Sequence, residues 1–261
     1  MAQSPSVPRD AATVLLLQDG PAEVEVYLLR RVQGMPFADG MPAYPGGSVD
    51  PRDADTDIGW LGPPPAQWAQ SFGCREPLAR ALVCAAVRET FEESGVLLAA
   101  PERGEVVVAD SAEWESERLA LLHREHSLAQ LLTRRGLTLR ADLLRPWAHW
   151  ITPEEEPRRY DTRFFVAAMP PGVTAYDLSG EADEVSWVGA RAALAEAERG
   201  ERPMLPPTLV TLGEIADYSS VAEVLAAAPP GRLETVRPRL EGGFVVMPDG
   251  SRMRPPIPLG R

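Results

Sequence analysis

The stretch Arg88-Glu89-Thr90-Phe91-Glu92-Glu93-Ser94-Gly95-Val96 gathers three carboxylates near the end of a predicted helix. Apolar residues recur at helical spacing from Pro77 onward, and Gly95 is typical of a helix terminator, so the sequence predicts a helix from 77 to about 94. Within this helix Glu89, Glu92 and Glu93 stand at i, i+3 and i+4, and all three side chains therefore share one face.

These carboxylates occupy an electrostatically unfavourable position. The helix dipole disfavours anions in the last turns by about 0.3–1 kcal/mol each, and like charges at this spacing repel one another. Arg88 compensates only partly, through Glu92 at i+4. A solvated acidic end of a surface helix is the plain structural explanation. The alternative is a divalent cation, Mg²⁺ or Mn²⁺, which suits clustered hard oxygen ligands and removes the conflict.

The nine residues resemble the second half of the Nudix box, REUxEExGU, with Thr90 in the hydrophobic U position, and Gly46-Gly47 after Pro45 resembles its beginning. The resemblance implies a Nudix hydrolase with an α+β fold, an α/β/α sandwich whose mixed sheet lies between helices, plus helical insertions. It also implies the site residues, with Mg²⁺ or Mn²⁺ as cofactor: Arg88, Glu89, Glu92 and Glu93 are catalytic, and the metal is held by Glu89, Glu92, Glu93 and the carbonyl of Gly47 or its neighbour Gly46.

The box is interrupted by an insertion. Gly47 and Arg88 are 41 positions apart where the standard box has 14, so 27 residues are inserted. Counting forward from Gly47 places Asp53 where the first box glutamate belongs, and both Asp53 and Glu76 remain candidates for that role. An insertion at this point resembles a subgroup that includes peroxisomal coenzyme A diphosphatases of animals, as do the downstream segments 150–153, 158–165 and 184–188.

The remaining sequence is typical of one domain with additions. A hairpin is predicted from the apolar run at 11–17 and the alternating run at 24–28, and strands and helices then follow in mixed order, which favours an α+β fold. The predicted organisation is a flexible tail at 1–10, a Nudix domain at 11–228 with insertions at about 48–76 and 111–145, and an extension at 229–261 packed on the domain. Further strands are predicted at 106–108, 147–151, 162–168, 185–188 and 244–247, and helices within 113–135, 190–199 and 207–228, with a short helix near 67.

Charge and composition restrict the partners. The net charge is −12 and all 26 basic residues are arginine, so the chain repels a phosphate backbone and a nucleic acid duplex is not an expected partner. A small diphosphate remains compatible, because a local arginine cluster outweighs the global field. No apolar run is long enough for a membrane span. Cys74 and Cys84 have neither disulfide nor zinc spacing, so we expect a cytoplasmic protein, without the peroxisomal address of the animal proteins; the oligomeric state, a homodimer included, is left open.

The substrate is predicted from resemblance and from arginines. Arg158, Arg159 and Arg163 are candidate clamps for substrate phosphates, since the guanidinium fork matches phosphate geometry; ordinary strand-edge charge is the alternative. Coenzyme A or acyl-CoA is the leading substrate, followed by ADP-ribose, a dinucleotide or a nucleotide sugar, and a non-catalytic nucleotide sensor is the competing class. The candidates for a general base or a further metal ligand are Glu154, Glu155, Glu156, Glu181 and Glu184.

Overall fold

The computed structural model describes residues 6–31, 40–176, 182–229 and 231–256. In these ranges the strands are β1 (Arg9–Asp19), β2 (Val24–Arg31), β3 (Pro42–Ala43), β4 (Gly46–Ser48), β5 (Gly59–Leu61), β6 (Ala99–Pro101), β7 (Leu137–Arg140), β8 (Leu144–Ile151), β9 (Tyr160–Ala168), β10 (Ala182–Gly189), β11 (Thr235–Val236), β12 (Arg239–Glu241), β13 (Phe244–Val246) and β14 (Arg252–Met253). The α-helices are α1 (Pro65–Phe72), α2 (Glu76–Ser94), α3 (Ala112–Leu122), α4 (Leu128–Arg135), α5 (Ala190–Glu198), α6 (Pro206–Ala216) and α7 (Val221–Ala227).

The central sheet has the order β10-β2-β1-β9-β8-β11, with β3 on β2 and β4 on β1. Strands β1 and β9 are parallel, whereas β1 and β2 are antiparallel, so the sheet is mixed. Val14 and Leu16 of β1 pack into one core with α1 and α2, while Leu15 and Leu17 pack into a second core with α5, α6 and α7. Burial of both faces explains the continuous apolar run of β1, and it confirms the predicted α/β/α sandwich with its mixed sheet.

The two insertions form one layer together. Strand β5 from the first insertion pairs in parallel with β7 from the second, and β6 pairs with β7 in antiparallel fashion. Leu139 of β7 is fully buried in the core that also contains α2. The prediction of a strand at 106–108 is wrong, because that segment has no regular structure. The N–H of Val107 donates to the carbonyl of Ala99, in β6, at 3.1 Å.

The ends of the chain extend the central sheet. Strand β1 begins at Arg9, so Arg9 and Asp10, which we assigned to the tail, pair with β9. Near the other end β11 adds an edge strand beside β8, and the N–H of Leu233 donates to the carbonyl of Ser71 at 2.8 Å. Strands β12, β13 and β14 form a small sheet of their own.

None of the helices in the described ranges has the length and apolarity that crossing a bilayer requires.

Candidate active site

Helix α2 carries the site, and its end is built as the sequence predicts. Gly95 follows the helix in the left-handed region at φ 73°, and its N–H donates to the carbonyl of Phe91 at 2.9 Å. Thr90 is fully buried in the position that the box reserves for an apolar residue. Its hydroxyl donates to the carbonyl of Ala86 at 2.7 Å, so no polar atom is stranded in the core.

Arg88 is the centre of the site. Its buried guanidinium forms five hydrogen bonds to described residues, which uses all five donors of an arginine. Nε and Nη2 donate to the two oxygens of Asp53 at 3.0 and 2.9 Å, and Nη2 also reaches the carbonyl of Ser48 at 3.0 Å. Nη1 donates to Glu89 at 2.8 Å and to Glu92 at 3.1 Å. One cation therefore fixes the positions of three carboxylates.

Of the two candidates for the first box acid, it is Asp53 that lies against Arg88. It is buried, it binds Arg88 through both oxygens, and it stands where counting from Gly47 places the first box acid. A 3₁₀ turn at 51–54 holds it in place, because the N–H of Asp50 donates to its carboxylate at 2.8 Å. Glu76, the other candidate, is exposed in the first turn of α2, and a rise of about 1.5 Å per residue places it roughly 18 Å from Arg88.

The Gly46-Gly47 dipeptide lies against the carboxylates of α2. The N–H of Gly46 donates to Glu93 at 2.8 Å. A Cβ built on Gly47 would lie 2.5 Å from a carboxylate oxygen of Glu89, so a larger residue here would displace that carboxylate from its present position. The dipeptide is thus flanked by Glu89 and Glu93.

The chemistry of this donor set fits a hard divalent cation. Carboxylates and a glycine carbonyl are the oxygen ligands that Mg²⁺ and Mn²⁺ take. Burial, together with the charge of Glu89, raises the pKa of Glu92 to about 7. In this conformation the carboxylates bind Arg88 and the Gly46 N–H, and within the described residues no group of three or more acidic, histidine or cysteine side chains converges on one point.

Arg118 supports the end of α2 from outside the motif. Its side chain, from α3, is 1% exposed, and Nη1 donates to the carbonyl of Glu92 at 2.7 Å. Glu115 holds the guanidinium through two hydrogen bonds of 2.8 and 2.7 Å. A cation at a helix C-terminus offsets the dipole that disfavours the glutamates there. Arg118 could not be found from the sequence, since no local pattern links position 118 to position 92.

A cleft opens beside the dipeptide. It is lined by Gly46 and has an empty volume of about 1010 Å³, open solvent at its mouth included. Its walls are mostly apolar, with Trp150, Ile151 and Phe164 from the sheet and Pro206 from α6 among them. The predicted acidic cluster therefore adjoins a large and mainly apolar space.

A family profile described as the NUDT19 Nudix domain matches residues 65–215. The chain belongs to this Nudix family. It is 24% identical over 243 residues to the acyl-coenzyme A diphosphatase NUDT19 of Xenopus laevis, covering 79% of this chain and 63% of that protein, just under two thirds of its length. It is 26% identical over 309 residues to the protein of the same name from Gallus gallus, covering 96% and 80%. A solved Nudix hydrolase from Alicyclobacillus acidocaldarius, 28% identical, superposes with a TM-score of 0.74 over 87% of this chain and 99% of its own. The prediction of the Nudix family and fold is confirmed.

The predicted arginine clamps lie at two different places in this Nudix chain. Arg158 and Arg159 line a separate depression together with Arg9. Arg163 is buried. Its guanidinium donates to Asp161 and lies 3.5 Å from Asp10, so it pairs with carboxylates of β1 and β9 and does not line the cleft.

The predicted acids outside the box differ in position. Glu156 lines the cleft together with Gly46. Glu154 and Glu155 are exposed, and Glu155 accepts the N–H of Leu240 at 3.4 Å. Glu181 and the side chain of Glu184 lie outside the described residues.

Proposed function

We propose that the chain hydrolyses the diphosphate bond of a nucleoside-diphosphate-linked small molecule with Mg²⁺ or Mn²⁺, and that coenzyme A or acyl-CoA is the leading substrate. The observation that carries the proposal is the carboxylate cluster around Arg88, which flanks Gly46-Gly47 at the edge of the cleft. Membership of the Nudix family supports it. The retained glutamates argue against the alternative class, a non-catalytic nucleotide sensor.

The proposed roles follow from the contacts. When bound, a divalent cation supplies neutralisation of the diphosphate oxygens and a lower pKa for a water ligand. Glu89, Glu92 and Glu93 would hold the cation together with the carbonyl of Gly46 or Gly47. Arg88 orients Glu89 and Glu92 through its Nη1 donors, and Glu156 is the proposed proton acceptor because it lines the same cleft.

The shape of the cleft favours a substrate with an apolar part. Trp150, Ile151 and Phe164 present an apolar surface that begins beside Gly46, and burying such surface contributes roughly 25 cal/mol per Å². Both NUDT19 relatives carry the name acyl-coenzyme A diphosphatase. ADP-ribose, dinucleotides and nucleotide sugars offer no comparable apolar segment, so they are the second choice.

The test is a panel of diphosphates incubated with Mg²⁺ or Mn²⁺, with phosphate-ester products measured. We expect turnover of coenzyme A and acyl-CoA, and a drop of at least about 100-fold in Glu93→Gln, because that change removes a metal ligand. The matched control is Glu125→Gln, an exposed glutamate after α3. Binding of a nucleotide without turnover by the wild type would favour the sensor, and unchanged turnover in Glu93→Gln would refute the mechanism.

The reducing cytoplasm is the compartment that we propose. Its support is that both cysteines, Cys74 and Cys84, are free thiols.

A further inference from the structure

A second depression lies beside the cleft and is lined by arginine. Arg9 at the beginning of β1 and Arg158 and Arg159 just before β9 surround it, together with Ser6 and Tyr160. Its empty volume, again including open solvent, is about 740 Å³. No aspartate or glutamate contributes to its lining among the described residues. In a chain of net charge −12, this is a local concentration of positive charge.

Among the described residues, none of these three guanidinium groups forms an ion pair with a carboxylate. Within the described ranges, neither Arg9 nor Arg158 forms a hydrogen bond or an ion pair through its side chain. In the described part of the chain, Arg159 donates to two neutral carbonyls, those of Thr152 at 3.1 Å and Ser6 at 2.7 Å, and to no carboxylate. Elsewhere the same chain pairs its arginines with carboxylates, as at Arg88 and Arg140. Three uncompensated cations around one concavity repel one another, and an anionic ligand relieves that repulsion.

The depression adjoins the proposed substrate cleft. Tyr160 lines both spaces, and it lies opposite Arg9 in the β1–β9 pairing. Thr13, four residues further along β1, pairs with Gly46 at the catalytic end of the cleft. Four residues of extended strand span roughly 13 Å. A ligand that reaches both places must therefore carry a second anionic group away from its diphosphate.

We propose that this arginine depression binds a phosphate monoester of the substrate, separate from the diphosphate that is cleaved. The inference rests on the proposed function and narrows it. Guanidinium groups bind the dianionic, forked oxygens of a phosphate monoester through charge-assisted hydrogen bonds. Coenzyme A carries such a group on its ribose, whereas ADP-ribose and nucleotide sugars do not. The depression thus favours substrates whose nucleoside carries a phosphate monoester in addition to the diphosphate.

The kinetic test compares coenzyme A with dephospho-coenzyme A, which lacks the monoester. For Arg158→Gln we expect KM for coenzyme A to rise about 10-fold, the loss typical of one charge-assisted hydrogen bond, with kcat within about twofold. KM for dephospho-coenzyme A should not change. Arg9→Gln is a second variant, because the Arg9 side chain forms no hydrogen bond or ion pair with a described residue. Arg103→Gln, on the exposed loop after β6, is the matched control. Equal KM changes for both substrates would overturn the inference.

A binding test separates this inference from the proposed function. Titration calorimetry without metal compares adenosine 3′,5′-bisphosphate with adenosine 5′-monophosphate. We expect the bisphosphate to bind at least about 10-fold more tightly to the wild type and to lose that advantage in Arg158→Gln. If the wild type cleaves no diphosphate, the proposed function fails, while this titration still tests whether the depression binds a phosphate monoester. Equal affinity for the two nucleotides refutes it.

Discussion

Replacing Asp53 by asparagine tests the central ion pair of the site. The carboxylate is buried and accepts from Nε and Nη2 of Arg88. Asparagine keeps the shape and one acceptor oxygen, but its NH₂ group then faces a guanidinium N–H. Breaking a buried pair by removing one partner costs about 3–5 kcal/mol. Since one hydrogen bond survives, we expect the lower end, about 3 kcal/mol of the free energy of unfolding. In a domain of this size each kcal/mol lowers Tm by about 2–4 °C, which corresponds to a fall of roughly 6–12 °C.

The assay is thermal unfolding without metal, followed by turnover with Mg²⁺ or Mn²⁺. Asp55→Asn is the matched control, because Asp55 is exposed two residues further along the same insertion, and it should change Tm by no more than about 1–2 °C. Asp53→Asn should also lower kcat more than it raises KM, since a loosened Arg88 no longer orients Glu89. A Tm for Asp53→Asn equal to that of the control would refute the assignment of Asp53 as the partner of Arg88.

Three further changes test other parts of the structure. Glu156→Gln should lower kcat by about 10²-fold or more with little effect on KM if its carboxylate accepts the proton, whereas Glu155→Gln, on the exposed neighbour, should leave kcat unchanged. Arg118→Met should weaken Mn²⁺ binding about 10-fold, measured by titration, because it removes the donor that fixes the end of α2, and Arg118→Lys should recover part of the loss. Burial raises the pKa of Glu214 in the folded protein, despite the hydrogen bond that its carboxylate accepts from Trp147. As pH rises above about 4.5, this carboxyl group ionises more readily in the unfolded chain than in the folded one, and the free energy of unfolding falls. Glu214→Gln should therefore raise Tm at pH 8 and not at pH 4; an equal Tm gain at both values would contradict this.

The sequence predicted the features that depend on residues close to one another in the chain. The carboxylates of α2 are three and four residues apart, so their common face follows from helical geometry. The strands of the first hairpin follow from apolar runs and the turn between them. Asp53 and Arg118 could not be assigned in this way. Asp53 meets Arg88 across 35 positions, and Arg118 meets the carbonyl of Glu92 across 26, so each contact depends on how an insertion folds back.

Those two contacts show that both insertions contribute side chains that contact the candidate active site. The segments 48–76 and 111–145 were predicted as insertions in a Nudix domain. The first nevertheless supplies Asp53, which binds Arg88, and the second supplies Arg118, which binds the end of α2. The charge conflict that the sequence posed is only partly resolved by these arginines. Glu115 already pairs with Arg118, and one guanidinium faces three carboxylates. The excess of negative charge that remains is what the proposed divalent cation would neutralise, so the insertions position the acidic cluster without removing that excess.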